Sequence, residues 1–184
     1  MKNVNWDEIE ERQPGEFERP APGGYIARIV SVEDVENKEY LRIEWDFEEG
    51  DHKGENAATY NRAGFWPIVL IKSYKEKALG FFKAFKTSVE MSNRGYAFDC
   101  TNPMGLAGKL MGVVLGEEEY NKTDGTVDKR LYVYQVRTVK AIRDSDFKIP
   151  KLKRLSETGG SASTYSTPSG QFQPLDDDDD EMPF

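Results

Sequence analysis

Leu41, Ile43, Trp45 and Phe47 alternate with Arg42, Glu44, Asp46 and Glu48. Apolar residues at period two over this length mean a strand with one face in a core and the other in water. Such a strand needs neighbours, and the flanking sequence offers them. Tyr25 to Val35 is rich in β-branched residues (Ile26, Ile29, Val30, Val32) and reads as a first strand, with Glu36-Asn37-Lys38 as a short turn. Glu49 to Glu55 is a polar, Gly-containing loop, and Ala57 to Trp66 reads as a third strand stopped by Pro67. The period then changes. Tyr74, Ala78, Phe81, Phe82, Phe85 and Val89 recur at three- and four-residue spacing, interleaved with Lys75, Lys77, Lys83 and Lys86, which predicts an amphipathic helix with a basic outer side. Leu106 to Gly116 reads as a fourth strand, Thr123-Asp124-Gly125-Thr126 as a hairpin turn, and Leu131 to Ile142 as a long fifth strand.

Three strands, a helix and a two-strand hairpin predict a mainly β fold: a five-stranded OB-fold barrel with one helix between strands three and four. Another small barrel or an open α+β sheet has the same element order; barrel closure is favoured because it protects short edges. In this reading Trp45 and Phe47 are core, and Phe81, Phe82 and Phe85 plug the base of the barrel. Residues 1–22 form a polar arm, in which Asn5 to Glu11 makes a helical turn with Trp6 and Ile9 on the body. The barrel occupies 23–155. Residues 156–174 are Gly, Ser, Thr, Pro and Gln with almost no apolar content, so burial cannot offset chain entropy and the segment is expected to be a disordered linker. Residues 175–184 are an acidic tail.

The net charge of -8 argues against a nucleic-acid binder until it is divided along the chain. Residues 158–184 hold six acids and no base, and residues 1–55 sixteen acids and seven bases. The intervening 56–157 hold eleven acids and eighteen bases, a net +7. One face of the body can therefore attract phosphate while the tail repels it. No apolar run approaches the roughly 18 residues of a membrane span. The polar, acidic Met1–Glu11 does not read as a secretory signal, and a single cysteine, Cys100, fits a reducing cytoplasm. One histidine, His52, and one cysteine leave a zinc site without ligands, whereas counting leaves a carboxylate site for magnesium open. No P-loop, dinucleotide fingerprint or HExxH is present. Cys100 reads as a lone half-buried thiol, and the expectation is a non-enzyme with no cofactor.

Phosphates attract cations and unstacked bases attract ring faces, so a single-strand groove interleaves both. Tyr60, Arg62, Phe65 and Trp66 have this character, in Gly- and Asn-containing surroundings that predict exposure. Lys72, Tyr74, Lys75 and Lys77 follow closely. Lys129, Arg130, Tyr132, Tyr134 and Arg137 give a second set on the last strand, and Tyr120 and Lys122 a third at the hairpin turn. Core packing is the competing assignment for every one of these rings. Lys140, Arg143, Lys148, Lys151, Lys153 and Arg154 make a basic exit that tracks DNA, holds the acidic tail, or is simply solvated. Against this reading, Arg42, Glu44, Asp46 and Glu48 give strand two a net acidic outer face.

The chain finishes Asp176-Asp177-Asp178-Asp179-Asp180-Glu181-Met182-Pro183-Phe184. A terminal aromatic presents a ring and an α-carboxylate together, suited to an apolar pocket with a basic clamp. This ending resembles the tail of bacterial single-stranded-DNA-binding proteins, which finish in several aspartates, an apolar residue, Pro and Phe. Glu181 and Met182 depart from that pattern, isoleucine being more usual at the second position, but leave the ring and carboxylate intact. The body resembles the diverged versions carried by phages and mobile elements of Gram-positive bacteria more than the chromosomal protein. The resemblance implies that Asp176 to Phe184 docks replication, recombination or repair proteins in a bacterial cytoplasm while the barrel binds single-stranded DNA with little sequence preference. A homo-oligomer is left open. The rivals are an OB-like adaptor that binds proteins and not DNA, and a metal-dependent nuclease.

Overall fold

The computed structural model describes residues 19–155. The expected turn at Asn5–Glu11, the linker and the acidic tail lie outside the described residues.

Five antiparallel strands form one sheet in the order β3-β2-β1-β4-β5. They are β1 (Gly23–Val35), β2 (Tyr40–Phe47), β3 (Val69–Ser73), β4 (Leu110–Asn121) and β5 (Val127–Arg137), with helices α1 (Glu55–Ala63), α2 (Leu79–Ser92) and α3 (Val139–Arg143). The alternation at 41–48 produces the expected face: Leu41, Ile43, Trp45 and Phe47 are all buried. β1 serves two neighbours. Gly23–Arg28 pairs with β4, while Ala27–Val35 pairs with β2 across a register shift between Ile29 and Ser31. Such a bulge bends a strand and raises its twist, so the two ends of the sheet, β3 and β5, come within 8 Å of each other.

Two sequence expectations are overturned here. Ala57–Trp66 is not the third strand: its first part is α1, and the strand is the later, five-residue β3. α1 draws its N-terminal anchor from outside its own sequence, where a pattern search along the segment cannot find it. The fifth strand does not run to Ile142. It ends at Arg137, and Thr138 caps α3 by accepting from the Ala141 N–H at 3.0 Å, so that Val139 and Ile142 turn down onto the sheet.

The sheet buries both faces near β1 and β4. On one side Trp45, Ile29, Met111, Val113 and Leu115 meet Phe85 and Val89 of α2. On the other, Ile26 and Val114 meet Val139 and Ile142, with Phe147 packed alongside. Three glycines let the second layer approach closely. A Cβ at Gly24 would lie 2.4 Å from the Phe147 ring, one at Gly116 2.7 Å from Pro150, and one at Gly112 2.4 Å from Ile142. After α3 the chain therefore crosses the sheet as a strap. It ends with the Lys153 N–H donating to Glu117 O (3.1 Å) and the Glu119 N–H donating to Lys153 O (2.9 Å), a parallel bridge that covers the part of β4 projecting past β1.

The helix expectation holds for Phe85, which is buried, and for Phe82, which is half-buried and meets Tyr74, Phe85 and Phe98. It fails for Phe81, which is 74% exposed. Successive helical residues are about 100° apart, so Phe81 and Phe82 cannot both face the core. Cys100 is likewise exposed rather than half-buried. No helix among the described residues is long and apolar enough to cross a membrane.

Several carboxylates are held ionised by native contacts. The Phe98 N–H (2.8 Å) and Lys86 (3.0 Å) keep Glu90 below the usual glutamate range. Arg28, at 2.6 Å, does the same for Glu48. Because these groups bind protons more weakly folded than unfolded, their stabilisation is present above the ordinary carboxylate range and is lost as pH falls through their lowered values. The urea midpoint should be flat near neutrality and fall below about pH 4. Glu90→Gln should blunt that fall, and an acid limb identical in the variant would discount Glu90.

Candidate functional site

Glycines and one buried carboxylate build the α1 region. Gly54 (φ 78°) turns the chain into the helix and Gly64 (φ 78°) turns it out, the Gly64 N–H donating to Tyr60 O at 2.7 Å. Both need the left-handed conformation that side chains disfavour. The helix has no side-chain cap of its own. Asp46 of β2 substitutes for one, accepting from the N–H groups of Phe47 (2.8 Å), Asn56 (3.0 Å) and Ala57 (3.1 Å). A carboxylate at a helix N-terminus satisfies otherwise unpaired donors and complements the helix dipole. The Asn56 side chain adds a 3.0 Å bond to Trp45 O. Helix α1 is thus tied to the core strand at two consecutive residues.

The reversal at Gly64 brings Trp66 back onto Tyr60. The rings stack with centroids 5.3 Å apart and planes 20° from parallel. Tyr60 is 44% exposed and Phe65 48%, and Arg62 lies exposed on the last turn of α1. The four residues expected from sequence to be exposed together are therefore neighbours on one helix–turn, with Trp66 the most covered. A stacked pair this close has no room between its rings; it offers an outer ring face.

The remaining candidates are dispersed. Lys72 shares the inner face of β3 with Leu70. Its ammonium lies 5.8 Å from the Phe85 centroid, and burial lowers its pKa. The Tyr74 hydroxyl donates to Asp34 at 2.8 Å, and this bond pushes its pKa up to about 12. Lys75 and Lys77 are exposed just before α2. On the β4–β5 hairpin most cations already have partners. Lys122 pairs with Asp128 (2.7 Å), Lys129 with Glu117 (3.4 Å), Arg130 with Glu118 (2.8 Å) and Arg137 with Asp146 (3.0 Å). Arg130 also lies over Tyr120, 5.4 Å from its centroid. Tyr132 is covered by the strap, with Lys153 4.1 Å above its ring, whereas Tyr134 is exposed. An incoming anion would compete with carboxylates here, and exposed pairs of this kind exchange at little cost.

The acidic outer face expected for β2 is not what the chain makes. Asp46 is buried as the cap of α1. Glu44 accepts from Ser31 and Arg42, both at 2.6 Å, and Glu48 is paired with Arg28. Sequence reasoning also missed Ile71, exposed on the outer side of β3. The signal was available in its position between Leu70 and Lys72, once β3 is recognised as a strand. Among the described residues no group of His, Cys, Asp and Glu is placed to hold a metal ion.

No protein-family model matches the chain, and no curated protein matches it.

Proposed function

We propose that the chain binds single-stranded DNA with little sequence preference, through an OB-type barrel whose main stacking platform is the α1 segment. The acidic terminus then recruits replication, recombination or repair proteins. The observation that carries the reading is the Tyr60–Trp66 stack beside exposed Phe65 and Arg62. Every base has a π face, so an exposed ring stack next to a cation suits unpaired nucleotides of any sequence. Two features of the sheet support the barrel. Pairing β3 with β5 would turn the order β3-β2-β1-β4-β5 into a closed ring, and α2 lies between the third and fourth strands, in contact with β3, β4 and β5 at the gap. The strand-two face and adjoining loops of such barrels are where oligonucleotides bind, and α1 hangs from the end of β2.

The test is fluorescence anisotropy of labelled oligo-dT with the full chain at several salt concentrations. Binding should weaken as salt rises, because cations released from phosphate oppose it, and duplex DNA should compete poorly. Tyr60→Ala and Trp66→Ala should each weaken binding roughly fivefold to a hundredfold, from about 1–3 kcal/mol per stacked base. Absence of binding at low salt would overturn the reading. It would favour the protein–protein adaptor, to which the ion-paired hairpin is already better suited.

A further inference from the structure

Phe81 is the most exposed large apolar side chain among the described residues, at 74%. Its neighbour Phe82 meets three rings, whereas Phe81 meets none among the described residues. A single exposed apolar residue needs no explanation, but the surroundings of this one are unusual for the molecule. Leu79, two residues before it, is 50% exposed. Lys77 lies one turn upstream, and Lys75 and Lys83 flank it in sequence. Among the described residues none of these three lysines forms an ion pair, although the cations of the β4–β5 hairpin do. Glu76 is the one carboxylate among these residues, leaving the local charge positive. Lys83, two residues on, falls on the other side of α2, whereas Lys77, four residues before, has the spacing of a same-side neighbour. An uncovered ring with an ammonium group one turn before it is the pairing of chemistries that holds an unpaired nucleotide, with a cation for the phosphate and a π face for the base.

We propose that Phe81, with Lys77, is a second stacking position for single-stranded nucleic acid, separate from the Tyr60–Trp66 platform and engaged only by strands long enough to reach both. It rests on the proposed single-strand reading and adds a site to it. The chain joins the two positions through β3, whose five residues span roughly 15 Å, and through the turn at Glu76–Ala78. A short oligonucleotide occupies the α1 platform alone; a longer one continues past β3 to the start of α2. Site sizes of about 4–16 nucleotides per OB fold bracket that difference. Because Phe81 packs on no ring and is largely solvated, its removal costs the fold little.

The experiment compares full-length wild type, Phe81→Ala, Phe81→Trp, Lys77→Glu and Trp66→Ala on oligo-dT of about 6 and about 20 nucleotides. Phe81→Ala is expected to match wild type on the short strand and to bind the long strand about five- to a hundredfold more weakly. Lys77→Glu should show the same length dependence. Phe81→Trp should restore long-strand affinity, with indole fluorescence quenched only by the long strand. Trp66→Ala should weaken both lengths. If wild type binds both oligonucleotides and Phe81→Ala matches it on both, the second position is overturned and the α1 platform stands. If wild type binds neither, the single-strand reading itself fails and this site with it.

Discussion

Gly112→Ala should destabilise the domain by about 2–4 kcal/mol, lowering its Tm by roughly 10 °C. The residue sits in β4 between Ile26 of β1 and Arg137 of β5. A Cβ there would lie 2.4 Å from Ile142 Cγ1, 2.8 Å from Thr138 O and 3.0 Å from Arg137 O. The isoleucine could rotate only by vacating its contacts with Ile26, Val114 and Val139. The two carbonyls cannot rotate away at all, since they belong to the end of β5 and the cap of α3. Relief therefore requires α3 to lift from the sheet and uncover an apolar layer. Gly80→Ala is the matching control. Its Cβ meets nothing within 4 Å on an exposed helical position, so it should stabilise by a few tenths to about 1 kcal/mol. Thermal denaturation of the two variants should move in opposite directions. Equal stability of Gly112→Ala and wild type would mean that α3 is not seated as described.

Asp46→Ala joins fold and function in one substitution. It removes the acceptor for three N–H groups, two of them the opening donors of α1, and leaves them unpaired beside the core. Loss of a cap together with charge-assisted bonds at a buried site costs about 2–3 kcal/mol. Because Tyr60 and Trp66 meet only when α1 and its exit at Gly64 are in place, oligo-dT affinity should fall by at least as much as in Trp66→Ala. Asp46→Asn keeps one acceptor oxygen and should lie between. The informative comparison is denaturant midpoint against anisotropy. A variant that loses stability but keeps wild-type affinity would remove α1 from the interface.

Legibility in the sequence followed the locality of the cause. The second strand was plain because its alternation is written in eight adjacent residues, and its four apolar positions are buried as expected. The hairpin was plain because Asp124-Gly125 carries its own turn chemistry, including Gly125 at φ 83° and the Asp124 carboxylate accepting from the Thr126 N–H. α1 was misread because what starts it is Asp46, ten residues before Asn56, across a loop. The same contact explains the misjudged outer face of β2: Asp46 looked solvent-facing by alternation and is consumed as a cap. Val139 and Ile142 looked like strand because β-branched residues favour both strands and buried layers, and their helical turn depends on the hydroxyl of Thr138. At the candidate site, exposure of Tyr60, Phe65 and Arg62 could be read from composition. The stacking of Tyr60 on Trp66 could not, since it rests on the backbone reversal at Gly64.

The strap that carries the chain to residue 155 has a mechanical meaning as well as a packing one. Its last described stretch is held to the projecting end of β4 by the backbone bonds between Lys153 and Glu117 and Glu119, and by the Leu155 N–H donating to the Glu119 carboxylate. Tension arriving from beyond Leu155 reaches the sheet through these contacts, at the β4–β5 hairpin. In a parallel pairing of this kind, a pull along the strand loads its hydrogen bonds together rather than peeling them one by one. A partner hauling on the terminus should therefore strain the strap while leaving the stack at Tyr60 and the ring of Phe81 mechanically undisturbed.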